Sequence, residues 1–249
     1  MSGTDAPGAV GGSEAAGGPA RAVAGGHGIE GVADAGAFLS RLVRLERAAL
    51  VRLRPAGTPA RTALWARLPW GVLAVRTVAG AGAGDVTVAA EQLLAELAAG
   101  RAELPARRDA QWRWALPPTT SRGVETLPGG ELRRLAEAAA GALREAAAHG
   151  VAGRAVGQRA LRDALLDHVA VVVTPDDEPD RRPVEVTQRL VQGLIRMGFV
   201  GAPGVSPEPD GVQVRTAGRW VGLVGPYGAV WSQKATDLVV RPAVAHANG

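Results

Sequence analysis

Phe38, Leu42, Leu45, Ala49 and Leu53 recur at helical intervals, with Arg41, Arg44, Arg47 and Arg52 between them and Arg54 directly after. Read on a helical wheel, the two sets predict an amphipathic helix with an arginine outer face. Asp34 is its expected N-cap and Pro55 its stop. Arg61–Arg67 and Val72–Val78 read as strands of a hairpin around Pro69-Trp70-Gly71. The turn Gly80-Ala81-Gly82-Ala83-Gly84-Asp85 is expected to open a helix over Val86–Ala99, which Gly100 ends. Gln111–Leu116 alternates as a half-exposed strand.

Pro117 to Gly130 is rich in proline and glycine and marks a boundary. Beyond it, Leu132, Leu135, Ala136, Ala139, Leu143 and Ala147 form the apolar stripe of a helix over Glu131–His149. A helix over Val156–Asp167, a buried-type strand over Val169–Val173 and a proline-rich acidic loop, Pro175–Pro183, follow. Val186–Met197 is again helical and stops at Gly198. After a loop at Gly201–Gly211 come a hairpin, Val212–Thr216 with Arg219–Val224, and short strands at Ala229–Trp231 and Leu238–Arg241. Helices mixed with antiparallel hairpins, without βαβ alternation, predict an α+β fold. The expected organisation is a disordered tail over 1–33, a basic half over 34–128, a second half over 129–242 that shares one core with the first or forms its own, and a frayed end over 243–249. Arg61-Thr62-Ala63-Leu64-Trp65 with Pro69-Trp70-Gly71 is echoed by Arg215-Thr216-Ala217-Gly218-Arg219-Trp220 with Pro226-Tyr227-Gly228. A biased composition accounts for this more simply than a duplication does.

Composition changes the picture in two ways. Only one of the 28 basic residues is lysine, and six of the nine aromatics are tryptophan, so the core must be filled mainly by Leu, Val and Ala. With no cysteine, thiolate chemistry, disulfides and cysteine-held zinc are excluded. No signal peptide or bilayer-length apolar run is present, so the expected location is the cytoplasm, with no membrane contact.

Charge is uneven. Ala35–Arg122 holds thirteen arginines against six carboxylates, whereas Gly123–Gly249 is balanced at fourteen each. An acidic partner surface or a nucleic acid would complement the basic half. Its candidate contacts are Arg41, Arg44, Arg47, Arg52, Arg107, Arg108, Trp112, Arg113 and Trp114, because arginine grips phosphate bidentately and tryptophan stacks on bases. The plain alternative is a tryptophan pair packed inside, with arginines lying in water.

Three further sites are worth weighing. Gln188, Arg189, Gln192 and Arg196 line the polar side of one helix, and glutamine and arginine read base edges in a major groove. With Arg215 and Arg219 on the following hairpin, the element order over about 131–224 resembles winged-helix DNA-binding domains, although an acidic loop interrupts it. Gly80, Gly82 and Gly84 offer backbone amides to a phosphate-bearing ligand, which would make the protein an enzyme, but their spacing matches no nucleotide fingerprint. Asp163 and Asp167 share a helix face beside His168, and salt bridges to Arg159 and Arg162 explain them more simply than a metal. No catalytic triad or metal motif is present, so no catalytic residue, metal or cofactor is assigned. The leading expectation is therefore a non-enzymatic binding or regulatory protein.

The stretches Arg61–Val72, Arg107–Trp114, Gly157–His168 and Leu190–Phe199 resemble an uncharacterised protein family of high-GC actinomycete bacteria of the Streptomyces kind. The resemblance runs over about Phe38 to Pro242 and implies no activity and no catalytic residues.

Overall fold

The structure, a computed structural model, describes residues 25–149, 158–174, 183–201 and 211–234. The expected strand Leu238–Arg241, the chain end and most of the acidic and Gly/Pro loops lie outside the described residues. The expectation of an α+β fold is borne out: five helices pack on an antiparallel sheet of eight strands.

Helix α1 (Val32–Leu45) leads into a meander of β1 (Leu50–Ala56), β2 (Thr58–Arg67) and β3 (Leu73–Ala79), followed by β4 (Val86–Ala89) and α2 (Ala90–Ala98). A single 3-10 turn at Asp109–Gln111 opens the crossing to β5 (Arg122–Pro128) and α3 (Gly129–His149). Helix α4 (Gln158–Asp167) then joins a small hairpin, β6 (Val169–Val173) and β7 (Val184–Thr187). Helix α5 (Gln188–Arg196) precedes a second meander, β8 (Gly211–Ala217), β9 (Trp220–Gly225) and β10 (Gly228–Gln233).

The sheet order is β4-β1-β2-β3-β10-β9-β8-β5. Each half is a three-strand meander flanked by one strand from elsewhere in the chain, and the halves meet where β3 pairs with β10. The turns Pro69-Trp70-Gly71 and Pro226-Tyr227-Gly228 sit at equivalent places, each just before the inner strand of its half.

One face of the sheet carries the helices. Phe38 and Leu42 of α1, Leu93 and Leu97 of α2, Leu132 of α3, and Leu190 and Leu194 of α5 join Val51, Leu64, Ala74 and Val230 in one core that spans both halves. The other face is closed by the crossing segment. Trp112, Trp114 and Leu116 lie against Trp65, Leu73, Trp220 and Trp231, so five of the six tryptophans gather there.

Several expected elements differ. The long first helix stops at Leu45, where Glu46 turns extended, and Leu50–Ala56 becomes a strand. Val51 and Leu53 are fully buried between β2 and β4, so strand pairing on both sides overrides a spacing that also fits a helix. Asp34 lies inside the first turn of α1 rather than at its cap, and pairs with Arg76. Val86–Ala89 is a strand, not the start of a helix, and 112–118 is irregular. The described fold also begins before residue 34: His27 and Ile29 are buried, and Gly26 bridges to Glu103. The break before residue 129 contains β5, which pairs with β8 and so hydrogen-bonds with the second half.

Candidate functional site

Helix α5 lies across the seam between the halves. A Cβ on its Gly193 would stand 3.1 Å from Val72, 3.3 Å from Val230 and 3.4 Å from Leu68, so the helix approaches both halves closely there. Each aromatic turn holds one end of it. The Trp70 indole donates to the Arg189 carbonyl at 3.0 Å, and the Arg189 guanidinium donates to the Trp70 carbonyl at 2.6 Å. At the far end the Tyr227 amide donates to the Phe199 carbonyl, and the Tyr227 ring fills the space beside Gly201. Arg41 reaches over from α1, with its guanidinium where a Cβ of Gly198 would be, and Gly198 takes a φ of +70°. A cation over the C-terminal end of a helix offsets the negative end of its dipole.

Beside α5, on the helical side, is a groove of about 560 Å³. Trp70, Leu143 and Leu166 are among its apolar walls. Arg44 of α1, Arg144 of α3, Arg162 of α4 and Arg196 of α5 line it, and all four are exposed. Arg162 is near Asp163, at 3.7 Å. Arg44, Arg144 and Arg196 meet no carboxylate among the described residues, and Arg196 touches only the Gln192 amide oxygen, at 3.5 Å. Three guanidiniums without a carboxylate partner among the described residues, around one partly apolar groove that Asp163 also lines, suit a chain of anionic groups.

The expected basic face does not form. Arg47 follows α1 and pairs with Glu91 at 2.9 Å. Arg52, on β1, makes a two-pronged bond to Asp85 at 2.6 and 2.9 Å, and Arg54 also meets Asp85 at 3.2 Å. Arg107 pairs with Asp109 at 2.7 Å. The Asp85 carboxyl is held below the usual range chiefly by its bond from Arg52. Asp109 is lowered chiefly by the Thr87 amide and then by Arg107. Trp112 is buried, donates to the Trp114 carbonyl at 2.7 Å and meets the Trp114 ring edge-on. Arg52 and Arg67 lie over the two rings at 5.8 and 5.2 Å. Of the nine expected contacts, Arg44 reaches the helical groove. Arg41 covers Gly198, Arg108 is tied through its backbone amide to Thr87, and Arg113 faces a different cleft.

The winged-helix reading is also overturned. Gln188 is buried and donates to the Leu135 carbonyl, Gln192 donates to the Ala136 carbonyl, and Arg189 is held by Trp70 and Asp167. These groups hold α5 against its neighbours, leaving no amide free to read a base edge. The supposed wing is part of the main sheet: Arg215 binds Ser121, and Arg219 sits at the β8–β9 turn.

The glycine turn is no phosphate cradle. It joins two strands, the Gly80 amide bonds to the Ala60 carbonyl, and the Gly82 amide bonds to the Gly28 carbonyl. Any Cβ on Gly80 would stand 2.3 Å from the Gly28 oxygen, and one on Gly82 would stand 2.3 Å from Thr62 Oγ1. The glycines allow close backbone packing. Asp163 meets Arg159 and Arg162, and Asp167 meets Arg189. No cluster of three metal-ligating side chains occurs among the described residues. None of their helices is long and apolar enough to cross a membrane.

The spacing of residues missed Arg144 and the role of Trp70. The groove gathers α1, α3, α4, α5 and one turn, and no local pattern announces such convergence.

Residues 28–114 match a domain of unknown function, DUF8010, and residues 116–237 match another, DUF8185. The fold resembles that of DNA polymerase sliding clamps. A DNA polymerase sliding clamp from Pseudomonas aeruginosa, solved with a ligand, superposes with a TM-score of 0.50 at 11% identity, over 85% of this chain and 66% of that one. The beta subunit of DNA polymerase III from Thermotoga maritima gives 0.44 at 12% identity, over 84% and 63%. The beta subunit from Streptococcus pyogenes gives 0.47 at 10% identity, over 82% and 62%. The chain thus spans somewhat less than two thirds of the length of these clamps. Identities this low carry the fold alone, and a clamp-like fold replaces the winged helix. No curated protein matches the sequence.

Proposed function

We propose that this protein is a clamp-fold module that rests on the sugar-phosphate backbone of DNA through the arginine-lined groove on its helical side. The observation that carries this reading is the set Arg44, Arg144 and Arg196, which line one groove without carboxylate partners among the described residues. The clamp-like fold supports it, since the solved structures that resemble the chain are named as DNA polymerase sliding clamps. Phosphate contacts position a protein without reading sequence. Gln188 and Gln192, whose amides are used inside the protein, add no base readout. Binding is therefore sequence-independent, sensitive to salt and compatible with a cytoplasmic location.

Fluorescence anisotropy with a labelled duplex tests this, read between about 50 and about 200 mM salt. Binding is expected to weaken steeply with salt. Replacing Arg44, Arg144 and Arg196 together by alanine is expected to lower the slope of log K against log salt by about 2 to 3, since each lost phosphate contact removes about 0.9. An unchanged slope in the triple variant, or no binding at the lower salt, overturns the reading.

A further inference from the structure

A second cleft, of about 820 Å³, opens at the seam and is lined by the crossing segment, the end of β2, the strands β9 and β10, and the start of α5. Its volume lies within the range of about 300 to 1,000 Å³ usual for small-molecule sites. Arg67, Arg113, Arg189 and Lys234 line it from four separate parts of the chain. Arg67, Arg113 and Lys234 are exposed and meet no carboxylate among the described residues.

Two of the cations are close together. The Cβ position of Gly71 lies 3.4 Å from Arg67 Nη2 and 3.5 Å from Arg189 Nη1, so these two guanidinium nitrogens stand within about 7 Å of each other. Arg189 is balanced by Asp167, while Arg67 lies over the Trp114 ring and meets no carboxylate among the described residues. Glu185, on β7, is the other carboxylate that lines the cleft among the described residues, and four cations against two carboxylates leave positive charge in excess among them. Leu73, Ala115 and Val221, with Trp114 and Trp220, supply apolar and aromatic wall.

We propose that this cleft binds a small organic ligand bearing a phosphate or diphosphate group, with the anion between Arg67, Arg113 and Lys234 and the organic part against the tryptophans. Guanidinium groups bind phosphate oxygens in pairs, and a multiply charged anion relieves the repulsion among cations that share one space. The cleft and its residues are separate from the arginine groove, so the inference does not rest on the DNA reading.

Isothermal titration of the full chain with pyrophosphate, at constant ionic strength, tests it. Saturable binding is expected in the micromolar to millimolar range. Arg113→Ala and Lys234→Ala are each expected to weaken it about tenfold, the size of one lost charge-assisted contact. Both side chains are exposed and make no hydrogen bond among the described residues, so the variants are expected to fold. The Arg44→Ala/Arg144→Ala variant, for which weaker DNA binding is expected, is expected to bind pyrophosphate as before. Absence of saturable heat, or undiminished affinity in the Arg113→Ala/Lys234→Ala double variant, overturns the proposal.

Discussion

Trp70 and Arg189, 119 positions apart, each donate a side-chain hydrogen bond to the other's backbone carbonyl. The exchange fastens the start of α5, in the second half, to the β2–β3 turn of the first. Trp70→Phe keeps an aromatic ring but removes the pyrrole part of the indole with its N–H. It is expected to cost about 1 to 2 kcal/mol, because the Arg189 carbonyl loses a half-buried donor. Urea denaturation followed by circular dichroism measures this, and a midpoint equal to the parent's would show that the exchange adds nothing.

Gly193 is where α5 comes nearest the seam. Helix propensity alone favours a larger residue there by up to about 1 kcal/mol. With Val72, Val230 and Leu68 within 3.4 Å of its Cβ position, crowding outweighs that gain. Gly193→Leu is expected to destabilise by about 3 kcal/mol, the upper range for overpacking. A thermal melt that rises instead contradicts the close crossing.

The glycine turn separates packing from turn chemistry. Gly80→Ala places a Cβ within 2.3 Å of a backbone oxygen, at a φ of +112°. Gly84→Ala meets nothing within 4 Å and carries only the strain of a φ of +86°. The first is expected to cost more than 3 kcal/mol and the second about 1 kcal/mol. Equal losses in denaturant midpoint would show that close approach to Gly28 does not matter.

Asp85 and Asp109 respond to acid in a defined direction. Both carboxyls titrate lower in the folded chain than in the unfolded one, where aspartate sits near about 3.9. Their contribution is complete above that unfolded value and is lost as pH falls through the lowered folded values. Both are partly exposed, so the effect is modest. Asp109→Asn is expected to flatten the loss of stability between about pH 5 and pH 2, read as Tm against pH. An identical acid profile in parent and variant would remove Asp109 from that account.

The apolar side of α5 was legible because Leu190, Val191 and Leu194 follow helical spacing, and they are buried. Its polar side misled, because Gln188 and Gln192 find partners on Leu135 and Ala136, more than 50 positions away. β1 was hidden because Leu53 continues the helical series from Phe38 to Ala49 while also alternating with Val51, and only pairing with β2 and β4 decides between the two patterns. β5 is mostly exposed along its length and shows no alternation at all; its strand form comes from the partner β8. The arginines of the basic half were counted correctly, yet a count does not show that Asp85 is shared by Arg52 and Arg54.

By itself the sequence determined the fold class, the amphipathic helices and the hairpins, since these follow from contacts a few residues apart. Only the tertiary structure decided how two meanders join into one sheet, which arginines are left without a carboxylate, and where they gather. Those outcomes depend on groups brought together from far along the chain, 151 positions apart for Arg76 and Tyr227 and 44 for Arg47 and Glu91, and local spacing carries no record of them.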